Sequence, residues 1–291
     1  MKADVFYERM VRESEYGISF IEVDVPFLDV PWHYHPETEI IYVEQSTGTR
    51  FVGDHSEPFK EGDVGMIGAN LPHVWKSDAV YLKSIPELRA KVIVVHFREE
   101  VFTGSLSALP EMRNIKQLIH ESQFGIKFTG ASRTRIISLM KEIIQSSGVD
   151  KLTRLIGLLD YMAQTTDKEL LATTGYTKIR KSADFDRFDK VHRYMIENFE
   201  RKITLETVAS LIGMTPTSFC RYFKKHTKKP FHTILNEFRV GHACKLLIEN
   251  RLSIAGVCFE CGFNNISNFN EQFKKIKGLT PSQYIKKWQH G

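Results

Sequence analysis

The chain has 291 residues, of which 42% are apolar, 26% charged and 11% aromatic. That is enough apolar material for two ordinary cores and excludes a disordered chain. The net charge of +5 is unevenly spread: residues 184–291 hold 18 Lys and Arg against 10 Asp and Glu, a net of +8, which leaves −3 for residues 1–183. Only the C-terminal part is therefore suited to a polyanion. No run of 18 apolar residues is present, which excludes a spanning helix. The opening MKADVFYERM lacks the apolar stretch of a secretory leader, so the expected location is cytoplasmic.

In chain order, YGISFIEVDV (Tyr16–Val25) alternates apolar and polar residues. EIIYVEQ (Glu39–Gln45), TRFVGD (Thr49–Asp54), DVGMIG (Asp63–Gly68) and KVIVVHF (Lys91–Phe97) are further short apolar runs. Gly48, Gly53, Gly62 and Pro58 punctuate them, and many short strands with Gly/Pro turns predict a barrel or sandwich. Between the first two runs stands WHYHPETE (Trp32–Glu39). Side chains alternate along a strand, so an unbroken strand would point His33, His35 and Glu39 into one interior, with Trp32 and Tyr34 facing outward or lining a second sheet. His73 follows a turn-rich stretch, EGDVGMIGANLPH. His55, His96 and His120 have no such constellation and are read as ordinary residues.

The pattern H-x-H-x3-E followed by G-x5-P-x-G-x2-H resembles the double signature of the cupin barrel over roughly residues 15–100. His33, His35 and Glu39 complete the first half. Gly62 and His73 fit the second, while Gly68 replaces the proline and Asn70 the second glycine. The resemblance implies that His33, His35, Glu39 and His73 bind a divalent transition metal, a donor set suited to Fe, Mn, Ni, Cu or Zn. Three readings stay open: a catalytic metal centre, a small-molecule pocket with or without metal, and packed histidines with no ligand.

After the barrel the period changes to that of helices. Ile136, Leu139, Met140, Ile143 and Ile144 share one face of Ala131–Ser147, and Leu152, Leu155, Ile156 and Leu159 share one of Gly148–Thr165. This hairpin, about residues 131–165, either packs on the barrel or pairs with a second chain. The predicted domains are 1–165, a linker at 166–183 and 184–291. The cysteines Cys220, Cys244, Cys258 and Cys261 include one C-x-x-C pair but no second pair or histidine pair at zinc-finger spacing, and they are read as helix-packing residues.

The C-terminal part repeats itself. SFCRYFKK (Ser218–Lys225) aligns with NFNEQFKK (Asn268–Lys275) at an offset of 50, and VASLIGM (Val208–Met214) with VCFECGF (Val257–Phe263) at 49. Each unit reads as helix, turn, helix. Gly213 and Gly262 end the first helices, Thr215 and Asn265 cap the second ones, and Pro216 stands at the first helical position. Phe219, Tyr222 and Phe223, and in the second unit Phe269 and Phe273, face the core. A long helix, about Phe231–Glu249, bridges the units. The opposite faces show Thr217, Ser218, Cys220, Arg221, Lys224 and Lys225, then Ile266, Ser267, Asn270, Glu271 and Lys274. Polar residues at a helix start and basic ones after it suit a major groove.

Residues 184–291 as a whole resemble the AraC/XylS-type DNA-binding domain. FNNISNFNEQFKKIKGLTPSQY (Phe263–Tyr284) is similar to the family signature, including Gly278, Pro281 and Tyr284, and the first unit, TLETVASLIGMTPTSFCRYFKKHTKKP, also fits, with Lys228 standing where glycine is common. The resemblance implies about seven helices, two of which enter successive major grooves of double-stranded DNA. It places base contacts at Thr217, Cys220 and Arg221 and at Ile266, Ser267, Asn270 and Glu271. The sequence thus predicts an α+β protein: an N-terminal cupin-like β-barrel with a helical segment, and a C-terminal all-α domain with two helix-turn-helix motifs. The expected function is a transcriptional regulator, an activator by class and a homodimer, rather than an enzyme or a membrane protein. A small polar effector, with a carbohydrate as the leading candidate, controls it from the barrel. No cofactor is required. The alternatives are a metal-dependent cupin enzyme fused to a DNA-binding domain and a barrel that serves only as a dimerisation scaffold.

Overall fold

In the computed structural model, which describes residues 17–28, 30–78, 80–81, 88–103, 108–180, 184–227, 229–249 and 251–289, the first alternating run is strand β1 (Ile18–Val25). Its Ser19, Ile21 and Val23 are buried while Glu22 and Asp24 are exposed, the period of two expected of a half-buried strand. The opening MKADVFYERM, Tyr16, Lys228 and positions 181–183 lie outside the described residues. The chain divides into two units, Met1–Gly53 with Phe59–Thr173 and Asp54–Pro58 with Thr174–Gly291.

The apolar runs of the first half become β2 (Thr38–Gln45), β3 (Gly48–Val52), β5 (Val64–Ile67) and β7 (Ala90–Phe97). Less regular stretches supply β4 (His55–Phe59), β6 (His73–Ser77), β8 (Ile126–Phe128) and β9 (Lys168–Leu170). They form a six-stranded sheet in the order β1-β7-β2-β5-β8-β9 and a three-stranded sheet in the order β4-β3-β6. Pairing is antiparallel at β1/β7, β2/β7, β2/β5 and β3/β6. β2 is buried on both faces over Thr38–Val43, which its continuous apolar run already suggests.

Helices follow: α1 (Glu100–Thr103), α2 (Arg113–Ser122), α3 (Gly130–Ile144) and α4 (Gly148–Gln164). Ile136, Met140 and Ile143 of α3 and Leu155, Leu158, Leu159 and Met162 of α4 are buried in one core with Ile40, Met66 and Val95 of the sheet. The hairpin thus packs on its own unit. Val149 and Leu152 at the start of α4 stay exposed, at 79% and 39%.

The boundary between the two units, after Thr173, falls within the segment 166–183 read as a linker, and that segment carries elements of its own. Lys168–Leu170 adds strand β9 to β8, and Thr174–Arg180 is helix α5. A three-residue strand leaves no periodic signal, and on α5 Tyr176 and Thr177 are buried, Tyr176 beside Phe188.

The second unit continues with α6 (Phe185–Asn198), α7 (Leu205–Leu211), α8 (Pro216–Thr227), α9 (Phe231–Glu249), α10 (Ile254–Glu260), α11 (Ile266–Lys277) and α12 (Pro281–Gln289). The bridging helix α9 runs over the residues expected. From it, Arg239 donates to the carbonyls of Phe199 and Arg201 at 2.9 Å each, satisfying backbone groups after the end of α6. Cys244, Cys258 and Cys261 are buried in one core with Val257, Phe269 and Phe273, and all four cysteines are free thiols.

His192 of α6 is fully buried among Tyr176, Phe188 and Phe238, and burial pulls its pKa down to about 3 from 6.5. A base depressed in the folded state favours folding above the unfolded value of 6.5 and loses that contribution as pH falls toward 3, because only the unfolded chain takes up the proton. Acidification from pH 7 to pH 5 is expected to cost the second unit on the order of 2 kcal/mol from this group. In urea titrations at the two pH values His192→Phe should reduce that difference. An equal loss in both proteins would remove His192 as the cause.

Candidate nucleic-acid interface and histidine-carboxylate cluster

The two repeats fold alike because each helix is closed by its own side chains. Thr204 accepts from the Thr207 N–H at 3.2 Å to start α7, and Thr215 accepts from the Ser218 N–H at 3.3 Å to start α8. In the second repeat Ser253 accepts from Gly256 N–H at 3.1 Å, and Asn265 from Asn268 N–H at 2.8 Å. These caps take up helix-start donors that would otherwise be orphaned. Ser253 was not singled out in the sequence, although its position four before Val257 matches Thr204 before Val208. At α12, Thr280 and Gln283 bond reciprocally, at 2.9 and 3.3 Å, as a capping box.

Helix α8 buries Phe219 and Phe223, and α11 buries Phe269 and Phe273. Tyr222 is half-buried and donates its hydroxyl to the Asp184 carbonyl at 3.1 Å. The opposite face of α8 presents Thr217, Cys220, Arg221, Lys224 and Lys225 exposed, with Ser218 half-buried against its cap. On α11 Ile266, Ser267, Asn270, Glu271 and Lys274 are all exposed. Every residue expected on these two faces is therefore on the surface. Among the described residues, no ion pair holds Arg221, Lys224 or Lys274. Lys229, at the end of the basic run, is instead paired with Glu237 at 2.7 Å.

In the first unit the strand expected through His33, His35 and Glu39 is broken. Pro36 carries no N–H for a ladder, and β2 begins only at Thr38. His33 stands on an isolated bridge to His73, with backbone bonds of 3.3 and 2.9 Å. Of the two neighbours, Trp32 is buried and Tyr34 is exposed at 43%. Asn70 adopts φ 57°, as a glycine substitute in the turn must, and donates its N–H to the His35 carbonyl at 2.7 Å.

The turns nevertheless bring all four expected residues together. Ring centroids lie 5.7 Å apart for His33 and His35, 4.5 Å for His33 and His73, and 5.2 Å for His35 and His73. Glu39 Oε2 is 3.5 Å from His35 Nε2 and 3.6 Å from His73 Nε2. His96, which the sequence reading set aside, joins them: its Nε2 is 3.0 Å from Glu39 Oε2. Its strand partner lies 57 residues away, so no local pattern reveals it.

Each of the three signature histidines donates Nδ1–H to a carbonyl: His33 to Pro31 at 2.8 Å, His35 to Glu37 at 3.0 Å and His73 to Leu71 at 2.7 Å. A carbonyl only accepts, so Nδ1 carries the hydrogen and each neutral ring leaves a lone pair on Nε2. Those three Nε2 atoms are buried and make no hydrogen bond. Burial, then His73, pulls the His33 pKa down to about 3. Burial alone would raise the Glu39 carboxyl, but His73, His35 and His96 hold it well below the usual carboxylate range. Burial works against a proton on His35, yet Glu39 and Glu37 raise its pKa. In their neutral forms the three rings place candidate ligand nitrogens within 4.8 Å of one another beside an ionised carboxylate, an arrangement suited to a cation or to hydrogen-bond donors. Such a donor set, with its rings oriented from behind, fits a divalent transition metal.

The cavity beside the cluster measures about 40 Å³ and is lined by His33, Glu39 and His73 and by apolar side chains including Trp75, Val92 and Val94. No described helix is long and apolar enough to cross a membrane.

Residues 208–287 match a family described as a helix-turn-helix domain. The HTH-type transcriptional activator RhaR of Escherichia coli strain K12 is 24% identical over 276 residues, covering 89% of this chain and 86% of RhaR. Among solved structures, the DNA-binding domain of AdpA, a global transcriptional factor in complex with a target DNA, is 24% identical over 36% of this chain and 94% of that one, with a TM-score of 0.33. ToxT of Vibrio cholerae, bound to an unsaturated fatty acid, is 14% identical over 92% of this chain and 94% of that one, with a TM-score of 0.36.

Proposed function

We propose that the chain is a transcription regulator of the AraC/XylS type, whose second unit reads a specific DNA sequence through α8 and α11 while its first unit, a cupin-like sensor, binds a small effector. The observation that carries the DNA-binding half is the repetition itself. Two separately capped helices, 50 residues apart, each bury an aromatic pair and expose polar residues followed by basic ones. Thr217, Ser218, Cys220, Ile266, Ser267, Asn270 and Glu271 lie at or near the helix starts that meet base edges, and Arg221, Lys224, Lys225 and Lys274 take phosphates. Glu271 can accept from a cytosine amine and Ile266 can touch a thymine methyl.

His33, His35, Glu39 and His73 form the effector site. No cofactor is required for this reading. Where a divalent transition metal is bound, the same four residues hold it, and it supplies positive charge for an effector oxygen. A carbohydrate, the class put forward from the sequence, has hydroxyl donors for the lone-pair cluster and apolar ring faces for Trp75. A cavity of 40 Å³ takes on the order of three water-sized groups, so a ligand of sugar size enters only as wall side chains move. Coupling to DNA requires that the effector bind two arrangements of the protein unequally. The exposed Val149 and Leu152 support a homodimer formed through the α3–α4 hairpin, which would double the DNA footprint. The protein then acts in the cytoplasm as a regulator, an activator by family, rather than as an enzyme.

Selecting genomic fragments with the purified full chain tests this reading. Retention of a few fragments that share a sequence at physiological salt is expected, and uniform weak retention would remove the sequence-specific role. Once an effector is known from a thermal-shift screen, His35→Ala should abolish the effector's stabilisation and its influence on DNA affinity, with basal DNA affinity unchanged. Loss of basal affinity as well would make His35 a structural residue.

A further inference from the structure

We infer that His96 is a positioning residue of the cluster: it clamps Glu39 in place for a bound cation and is not itself a ligand. The inference rests on the metal-holding reading of His33, His35, Glu39 and His73 given above. By distance alone His96 is a candidate ligand, since its ring nitrogen, one from His35 and a Glu39 oxygen lie within 4.8 Å of one another. The hydrogen inventory separates it from the other three histidines.

His33, His35 and His73 carry their hydrogens on Nδ1, where backbone carbonyls accept them. His96 is arranged the other way round. Its Nε2 lies 3.0 Å from Glu39 Oε2, and an ionised carboxylate only accepts, so the hydrogen sits on Nε2. Its Nδ1 is then the acceptor, with the Ser19 hydroxyl 3.5 Å away. No lone pair remains on the nitrogen nearest the cluster. The strand register builds this row: Ser19 of β1 stands opposite His96 of β7, and His96 stands opposite Glu39 of β2. Directly opposed residues on neighbouring strands point to the same face. Three strands therefore hold a hydroxyl, an imidazole and a carboxylate in line, ending where the three free lone pairs converge. His96 and Glu39 are both buried, so the aim of the carboxylate is fixed by this contact rather than by solvent.

The full-length chain tests this in two measurements. In ¹⁵N spectra of the imidazoles of the metal-free protein, His96 is expected as the Nε2–H form and His73 as the Nδ1–H form; an Nδ1–H form of His96 overturns the inference. In titrations with Co²⁺ followed by its visible absorption, His96→Leu should weaken binding 10- to 100-fold, the range for loss of an orienting partner. His96→Gln, whose amide can still donate to Glu39, should restore most of it, and the absorption band should keep its position in both variants. Unchanged affinity in His96→Leu overturns the clamp, and a shifted band in both variants overturns the exclusion of His96 as a ligand. If the wild-type chain takes no Co²⁺ while His96 still shows Nε2–H, the metal reading fails and the clamp on Glu39 stands as part of a metal-free effector site.

Discussion

Replacing Arg221 and Lys224 together by alanine is expected to weaken specific DNA binding on the order of 100-fold at physiological salt, from two lost charge-assisted contacts of roughly 1.5 kcal/mol each. The more diagnostic effect is on salt dependence. Each phosphate contact adds about 0.9 to the slope of log affinity against log salt, so the double variant should lose about 2 from that slope. Both side chains are exposed on α8, one helical turn apart or nearly so, and neither is held in an ion pair among the described residues, so folding should be unaffected. Alanine at Arg113, exposed on α2 of the first unit, serves as the control and should leave the slope alone. Fluorescence anisotropy between 50 and 200 mM salt on one retained fragment reads both quantities. An unchanged slope in the double variant would remove Arg221 and Lys224 from the phosphate contacts. Asn270→Ala offers the opposite signature: a changed sequence preference with the slope retained.

The second unit was legible in the sequence because its signals are local. A cap, a glycine stop and an aromatic pair recur within about 20 residues, and a repeat states each signal twice. Thr215, Gly213 and Phe219 on one side and Asn265, Gly262 and Phe269 on the other do what their spacing predicted. The cluster of the first unit was legible in membership and misread in construction. The spacing of His33, His35 and Glu39 suggested one strand, but Pro36 breaks it and the bridge from His33 to His73 does the gathering. His96 was missed because strand pairing across 57 residues has no signature in a single sequence. The same cause hides β4, β6, β8 and β9, which are short and take their stability from neighbours rather than from alternation. Within the expected linker, β9 and α5 were not foreseen because elements of three and seven residues are too short to leave a periodic stripe.

The repeat also makes a stability prediction, because its two stop glycines are equivalent in sequence and unequal in surroundings. Gly213 and Gly262 both adopt the left-handed conformation, with φ of 67° and 77°. An alanine at either pays the backbone cost of that region, roughly 1 to 2 kcal/mol. Around Gly213 an added Cβ meets nothing within 4 Å, so Gly213→Ala should cost only that. At Gly262 the Cβ would sit 2.6 Å from the Phe199 carbonyl oxygen and 2.9 Å from the Glu200 carbonyl carbon, both backbone atoms that cannot swing aside. The Phe199 oxygen also accepts from Arg239 of α9, so pushing it away disturbs the joint between α6 and the bridging helix. Gly262→Ala is therefore expected to cost on the order of 3 kcal/mol or more, well beyond its counterpart. Hydrogen exchange on the full chain measures the two effects by region: protection in α10 and α11 should fall sharply in Gly262→Ala, while α7 and α8 lose little in Gly213→Ala. Equal losses in the two variants would mean that the chain yields at Phe199 without penalty, and that the second motif is no more tightly seated than the first.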